Sequence, residues 1–163
     1  MRHTISVRVN GMEEQHEVEP QVSLLTFLRE TLNLTGAKEG CNEGECGSCM
    51  VLLDGKAVNA CLTLAVEVDG HELTTIEGVG DAKHLHPLQS AFLKNHAVQC
   101  GFCTPGMIMT TLGLLAENPN PSEQEVRVAL AGNLCRCTGY RQIIDAIHEG
   151  AAAMRAGKEG STP

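Results

Sequence analysis

The chain is poor in aromatic rings, with no tryptophan, one tyrosine and three phenylalanines among 163 residues. Nucleic-acid surfaces rely on stacking rings and basic patches. Basic residues are scarce as well: 12 Lys and Arg stand against 20 Asp and Glu, a formal net charge of −8. These shortages argue against a nucleic-acid partner and leave protein partners and small cofactors. No apolar run approaches the roughly 20 residues of a membrane span. The amino terminus, from Met1 to Val9, alternates apolar and polar residues instead of carrying the continuous apolar stretch of a signal peptide. A cytoplasmic chain with no membrane insertion is expected. Catalytic patterns are missing too. Gly78-Val79-Gly80-Asp81-Ala82-Lys83 lacks the last glycine, the strand and the helix of a dinucleotide fingerprint, and there is neither a P-loop nor a triad pattern. No catalytic residue is assigned.

What the chain does have is cysteine. Cys41, Cys46, Cys49 and Cys61 form C-x4-C-x2-C-x11-C, and Cys100, Cys103, Cys135 and Cys137 form C-x2-C-x31-C-x-C, with no cysteine left over among the eight. In a cytoplasm that keeps thiols reduced, such quartets favour metal ligation over disulfides. The first has the C-x4-C-x2-C run of plant-type ferredoxins, which hold a 2Fe-2S cluster. Zinc competes, although its structural sites favour C-x2-C pairs closing a small knuckle. Cys100-Gly101-Phe102-Cys103 alone could be a thioredoxin-like pair. Its preceding segment is helical in pattern, however, and a four-thiolate site also accounts for Cys135 and Cys137. No histidine stands in a Rieske-like place; His71, His84 and His86 read as surface positions. Gly40, Gly44 and Gly47 crowd the first quartet, and Gly101, Gly106, Gly132 and Gly139 the second. Glycine lets backbone N–H groups approach an anionic cluster closely. Arg136 fits a contact with a partner, a charge partner for a cluster or an ordinary surface ion pair. The sequence offers electron storage and no place to transform a substrate.

The hydrophobic period divides the chain. Ile5, Val7 and Val9 alternate, Asn10-Gly11 signals a hairpin, and His16 to Glu19 can return antiparallel. Ser23 caps a helix carrying Leu24, Leu25, Leu28 and Leu32 and stopping near Gly36. After the cysteine loop, Met50 to Leu53, the turn Asp54-Gly55, the segment to Cys61, and Glu72 to Ile76 read as short strands. Beyond Gly80 the period lengthens to that of helices: Leu85, Leu88 and Phe92 share one face, and Ile108, Leu112 and Leu115 another. Pro105 can open the second helix and Asn118-Pro119-Asn120-Pro121 ends it. Ser122-Glu123-Gln124-Glu125 is a capping box for a short helix to Ala131, and Ile143, Ile144, Ile147 and Ala151 mark the last. The expected organisation is α+β: a sheet unit over residues 1–78, a four-helix unit over 79–156, and a frayed tail over 157–163.

Three stretches, Gly40 to Cys49, Gln99 to Met107 and Gly132 to Tyr140, together with both quartets, resemble the small iron-sulfur subunit of the xanthine oxidase family of molybdenum hydroxylases. The match runs from about His3 to Ala152. The resemblance implies a ferredoxin-like β-grasp domain with one 2Fe-2S cluster, followed by a four-helix-bundle domain with a second. It implies a large subunit binding molybdopterin in its dinucleotide form, a medium subunit binding FAD, and assembly as a dimer of heterotrimers. Cys100, Cys103, Cys135 and Cys137 would hold the cluster nearer the pterin, and Cys41, Cys46, Cys49 and Cys61 the one nearer FAD. Gln99 and Cys137 match positions that touch the pterin. Electrons taken from substrate at molybdenum would then leave one at a time through this chain.

The resemblance points to an N-heteroaromatic or purine-like substrate. Relatives acting on aldehydes, carbon monoxide or aromatic acyl-CoA share the same small-subunit motifs. A stand-alone two-cluster electron carrier is the competing reading, and a zinc-bound adaptor a third. A subunit should bury Phe102, Met107 and Tyr140 against its partners, whereas a free carrier should not.

Overall fold

The structure is a computed structural model, and it describes residues 2–159. Its first half is built on hairpins. Strands β1 (His3–Val9) and β2 (Met12–Val18) pair antiparallel across Asn10 and Gly11, both at positive φ, as a two-residue turn matched to strand twist requires. Asp54 and Gly55 repeat the device between β3 (Met50–Leu53) and β4 (Lys56–Asn59). Strand β5 (Glu72–Thr74) joins the two hairpins, parallel to β1 and antiparallel to β3, and the sheet order is β2-β1-β5-β3-β4.

One face of this mixed sheet is apolar. Ile5, Val7, Val9, Val51 and Leu73 point into a core that also takes Leu24, Leu25, Phe27 and Leu28. Each such side chain contributes about 1.5–3 kcal/mol when removed from water. The helix expected from Ser23 to Gly36 is shorter and of mixed form. Ser23 caps α1 (Leu24–Thr26), which passes directly into a π-helical turn, Phe27–Thr31. The segment ends at Asn33, at φ 56°, and the Arg29 guanidinium holds the carbonyls of Thr35 and Ala37. The left-handed turn at Asn33 ends the helix before Gly36.

The second half is helical. Helices α2 (Pro87–Lys94), α3 (Thr104–Glu117), α4 (Glu123–Ala129) and α5 (Arg141–Glu159) enclose a core of Phe92, Met107, Ile108, Val126, Ile143 and Ile147. The expected box of Ser122 and Glu125 caps α4. Helix α5 lies against α2 at Gly150, where a Cβ would come within 3.1 Å of the Leu88 Cα. It runs on through the expected tail start at Gly157 to Glu159; residues 160–163 lie outside the described residues.

The two halves touch. Helix α3 crosses the β3–β4 hairpin at Gly113, where a Cβ would sit 3.1 Å from that of Ala57. This contact brings the amino-terminal end of α3 beside the first cysteine loop.

Candidate metal centres

Residues 40–49 form an irregular loop ahead of β3, and tight packing explains its glycines. A Cβ on Gly40 would lie 2.7 Å from the Cys46 sulfur, and Gly47 is left-handed at φ 66°. Cys41, Cys46 and Cys49 therefore ride one loop, and Cys61 reaches them from the turn after β4. The Cys41 thiol lies against that of Cys46, and Cys49 against Cys61. Backbone N–H groups of Glu43 and Cys46 donate to the Cys41 sulfur and pull its pKa down to about 7. Cys49 is the buried member, and burial pushes its thiol up to about 12. A loop that aims N–H donors at sulfur is made for thiolate.

The second quartet is assembled from two distant segments. Cys100 and Cys103 lie just before and at the amino-terminal end of α3, and Cys135 and Cys137 in the loop leading to α5. Cys103 lies against Cys135, and Cys100 against Cys137. Burial raises Cys103 to about 12. At Cys135 burial acts in the same direction, but bonds from the Thr138 hydroxyl and N–H outweigh it and the thiol is lowered. The amino-terminal end of α3 adds the positive end of a helix dipole at Cys103.

All eight cysteines are free. Among the described residues, no group of three or more His, Cys, Asp or Glu side chains is set to hold a single metal ion. The thiols gather instead as two pairs per quartet. A binuclear iron group takes two thiolates on each iron, so paired sulfurs ringed by N–H donors fit a 2Fe-2S cluster.

The remaining candidates fall into place around these loops. Gln99, Cys100 and Cys137 are exposed together at the surface of the second site, open to a partner. Arg136 is exposed beside the second quartet. Phe102 is 45% exposed, but Met107 belongs to the core of the helical half. Tyr140 is half-buried: its hydroxyl accepts from the Cys135 N–H at 2.9 Å and donates to the Asn133 carbonyl at 3.0 Å. Only Phe102 of the three therefore offers the apolar surface expected for a partner. His86 is no bare surface position either. Its Nδ1 accepts from the Leu88 N–H at 3.2 Å and caps α2. His71 bonds Asp54 at 2.6 Å.

Asn133 escaped the sequence reading. It is 3% exposed and joins the two sites, its amide donating to the Gly47 carbonyl at 3.2 Å while the next residue, Leu134, donates its N–H to the Cys46 carbonyl at 2.9 Å. Its place two residues before a ligand candidate was the one available signal.

Comparison with known proteins agrees with this layout. A family model described as a 2Fe-2S iron-sulfur cluster binding domain matches residues 7–75, and one described as a [2Fe-2S] binding domain matches residues 75–148. The small subunit of nicotine 6-hydroxylase from Paenarthrobacter nicotinovorans is 49% identical, over 90% of this chain and 88% of its own length. A chain of quinoline 2-oxidoreductase from Pseudomonas putida 86 superposes with a TM-score of 0.91 at 48% identity, over 99% of both chains. Aldehyde oxidoreductase from Megalodesulfovibrio gigas is 46% identical over 93% of this chain, which spans only 17% of that longer protein. Two 2Fe-2S domains in this order, matched along nearly their whole length to such a subunit, place the chain among the small iron-sulfur subunits of the xanthine oxidase family of molybdenum hydroxylases.

Proposed function

We propose that Cys41, Cys46, Cys49 and Cys61 hold one 2Fe-2S cluster and Cys100, Cys103, Cys135 and Cys137 the other, and that the chain passes electrons from molybdopterin on a large subunit towards FAD on a medium one. As a member of this family, the chain serves as the iron-sulfur, electron-transfer part of a molybdenum-containing oxidoreductase. Each cluster, when bound, stores a single electron. The observation that carries the relay is the Cys46 carbonyl to Leu134 N–H bond of 2.9 Å, which links one residue of the first quartet to the neighbour of Cys135 in the second.

The chain's own residues divide the work. Paired thiols supply two ligands to each iron, and the N–H groups of Glu43 and Thr138 stabilise the bound sulfurs. Exposed Gln99 and Cys137 form the edge that meets the pterin; burial of Cys49 keeps the first site dry on its inner side. The fold reads as a ferredoxin-like β-grasp domain over residues 1–78 and a four-helix-bundle domain over 79–156, with α5 running on to Glu159. Eight free thiols suit the reducing cytoplasm. No described helix is long and apolar enough to cross a membrane. The large and medium partners would assemble as a dimer of heterotrimers. An N-heteroaromatic substrate, or a purine-like one, is favoured because nicotine and quinoline, the compounds named for two relatives, are both N-heteroaromatics.

The test is to purify the chain from its native source under mild conditions and assay subunits, molybdenum, flavin and iron together. Molybdenum with a large partner and about four irons per small chain is the expected outcome. A lone chain with that iron and no molybdenum would instead make it a free carrier, and zinc in place of iron would overturn the redox reading.

A further inference from the structure

Two buried polar side chains, Thr110 and Asn133, are hydrogen-bonded to each other at the seam between the two cysteine loops. A polar group withdrawn from water is costly unless its bonds are satisfied, and here Asn133 satisfies two. Its Nδ2 donates to the Gly47 carbonyl at 3.2 Å, and its Oδ1 accepts from the Thr110 hydroxyl at 3.0 Å. The packing around that carbonyl leaves no slack: a Cβ on Gly106 would overlap the Gly47 oxygen, and one on Gly47 would overlap the Gly132 oxygen. From the other side the Tyr140 hydroxyl pins both the Cys135 N–H and the Asn133 carbonyl. Between these fastenings runs one short chain of atoms, from the Cys46 carbonyl across the 2.9 Å hydrogen bond to the Leu134 N–H and on to Cys135.

We propose that Asn133, oriented by Thr110, is a positioning residue for one-electron passage between the two sites. It holds the Gly47 carbonyl, fixes the residue that follows Cys46, and so keeps the Cys46–Leu134 hydrogen bond closed. The proposal rests on the reading of both quartets as cluster ligands. One electron leaves the site of Cys100, Cys103, Cys135 and Cys137, which is oxidised, and enters that of Cys41, Cys46, Cys49 and Cys61, which is reduced. No covalent bond changes and no proton moves. Electronic coupling falls more steeply across a gap than along bonded atoms, so loosening this contact slows the passage without altering either site. An apolar residue could fill the space, but it could not aim the carbonyl.

The experiment uses the assembled enzyme, wild type beside Asn133→Ala, Thr110→Val and Thr110→Ser. Iron content and the EPR signal of each cluster are recorded first, then the magnetic splitting between the two clusters after reduction by dithionite. The redistribution of one electron is followed after pulsed one-electron reduction. Expected are unchanged iron and individual signals, a weaker splitting, and about a tenfold slower redistribution in Asn133→Ala, the scale of an outer-shell loss at a metal site. Thr110→Val follows in the same direction, and Thr110→Ser restores the wild-type behaviour. Should Asn133→Ala not assemble, the two Thr110 variants carry the comparison. Unchanged splitting and rate with both clusters intact would overturn the positioning role and leave Asn133 a packing residue. A wild-type enzyme without two 2Fe-2S signals would instead overturn the ligand reading beneath it.

Discussion

The two cysteine sites are built in opposite ways. The first draws three of its four cysteines from a nine-residue stretch of one loop, whose glycines and N–H donors shape it locally. The second brings together two segments more than thirty residues apart, held in place by the helical core of Phe92, Met107, Ile143 and Ile147. The first site is therefore encoded in a loop and the second in a packing arrangement. The local site has a buried member in Cys49, while the assembled one exposes Cys100 and Cys137. The exposed pair leaves the second site open to solvent, while the first is half-buried apart from Cys49.

The sharpest way to break this contrast is to remove one thiol from each site. Cys137→Ser should cost the second cluster, lowering iron to about two atoms per chain, and stop reduction by substrate. Cys46→Ser should cost the same amount of iron, leave the first transfer intact and block the exit of electrons. Single-turnover kinetics separate the two, and equal effects on both steps would sink the ordering of the sites.

Core truncation distinguishes a packed site from a local one. Phe92→Ala, at a side chain 1% exposed in the helical core, should destabilise that half by about 3–5 kcal/mol. The cluster held by Cys100, Cys103, Cys135 and Cys137 should then be lost at lower urea than the cluster on the 40–49 loop. Simultaneous loss of both EPR signals would mean that the halves unfold as one unit. A smaller effect is expected where the halves meet. Gly106→Ala would drive a methyl into the Gly47 carbonyl, an overpacking worth about 1–3 kcal/mol. The magnetic splitting between clusters should change while iron content holds.

Local chemistry was legible in the sequence wherever its partners lie nearby. The Asn10-Gly11 and Asp54-Gly55 turns and the Ser122–Glu125 cap appear where the residues predict them. Cysteine spacing likewise announced two sites, because each ligand type leaves a countable mark. What escaped leaves no periodic mark. The turn after Thr26 is π-helical and ends at left-handed Asn33, which no helical period encodes. Met107 sits in a motif beside the cysteines, and periodicity alone cannot separate a core face from one turned towards a partner. Asn133 bonds residues 23 and 86 positions away, so beyond its place two residues before Cys135 nothing near it in sequence reveals its role.

His86 supplies the mildest and most selective perturbation of the helical half. Its Nδ1 must be unprotonated to accept the Leu88 N–H, and burial lowers its pKa below the usual value near 6.5. Because the folded value is the lower one, the cap's stabilisation is full above about pH 6.5 and is lost as pH falls through the folded pKa. Protonation would also place a positive charge at the amino-terminal end of α2, where the helix dipole opposes it. The helical half should thus lose about 0.5–2 kcal/mol on acidification, the value of an N-cap, before the sheet half responds. His86→Asn keeps an acceptor that does not titrate, so its urea midpoint should stay flat between pH 7.5 and 5.5 (~2 units of pH spanning the histidine range) where the wild type declines. Equal declines in both proteins would show that the acid sensitivity of α2 lies elsewhere than its cap.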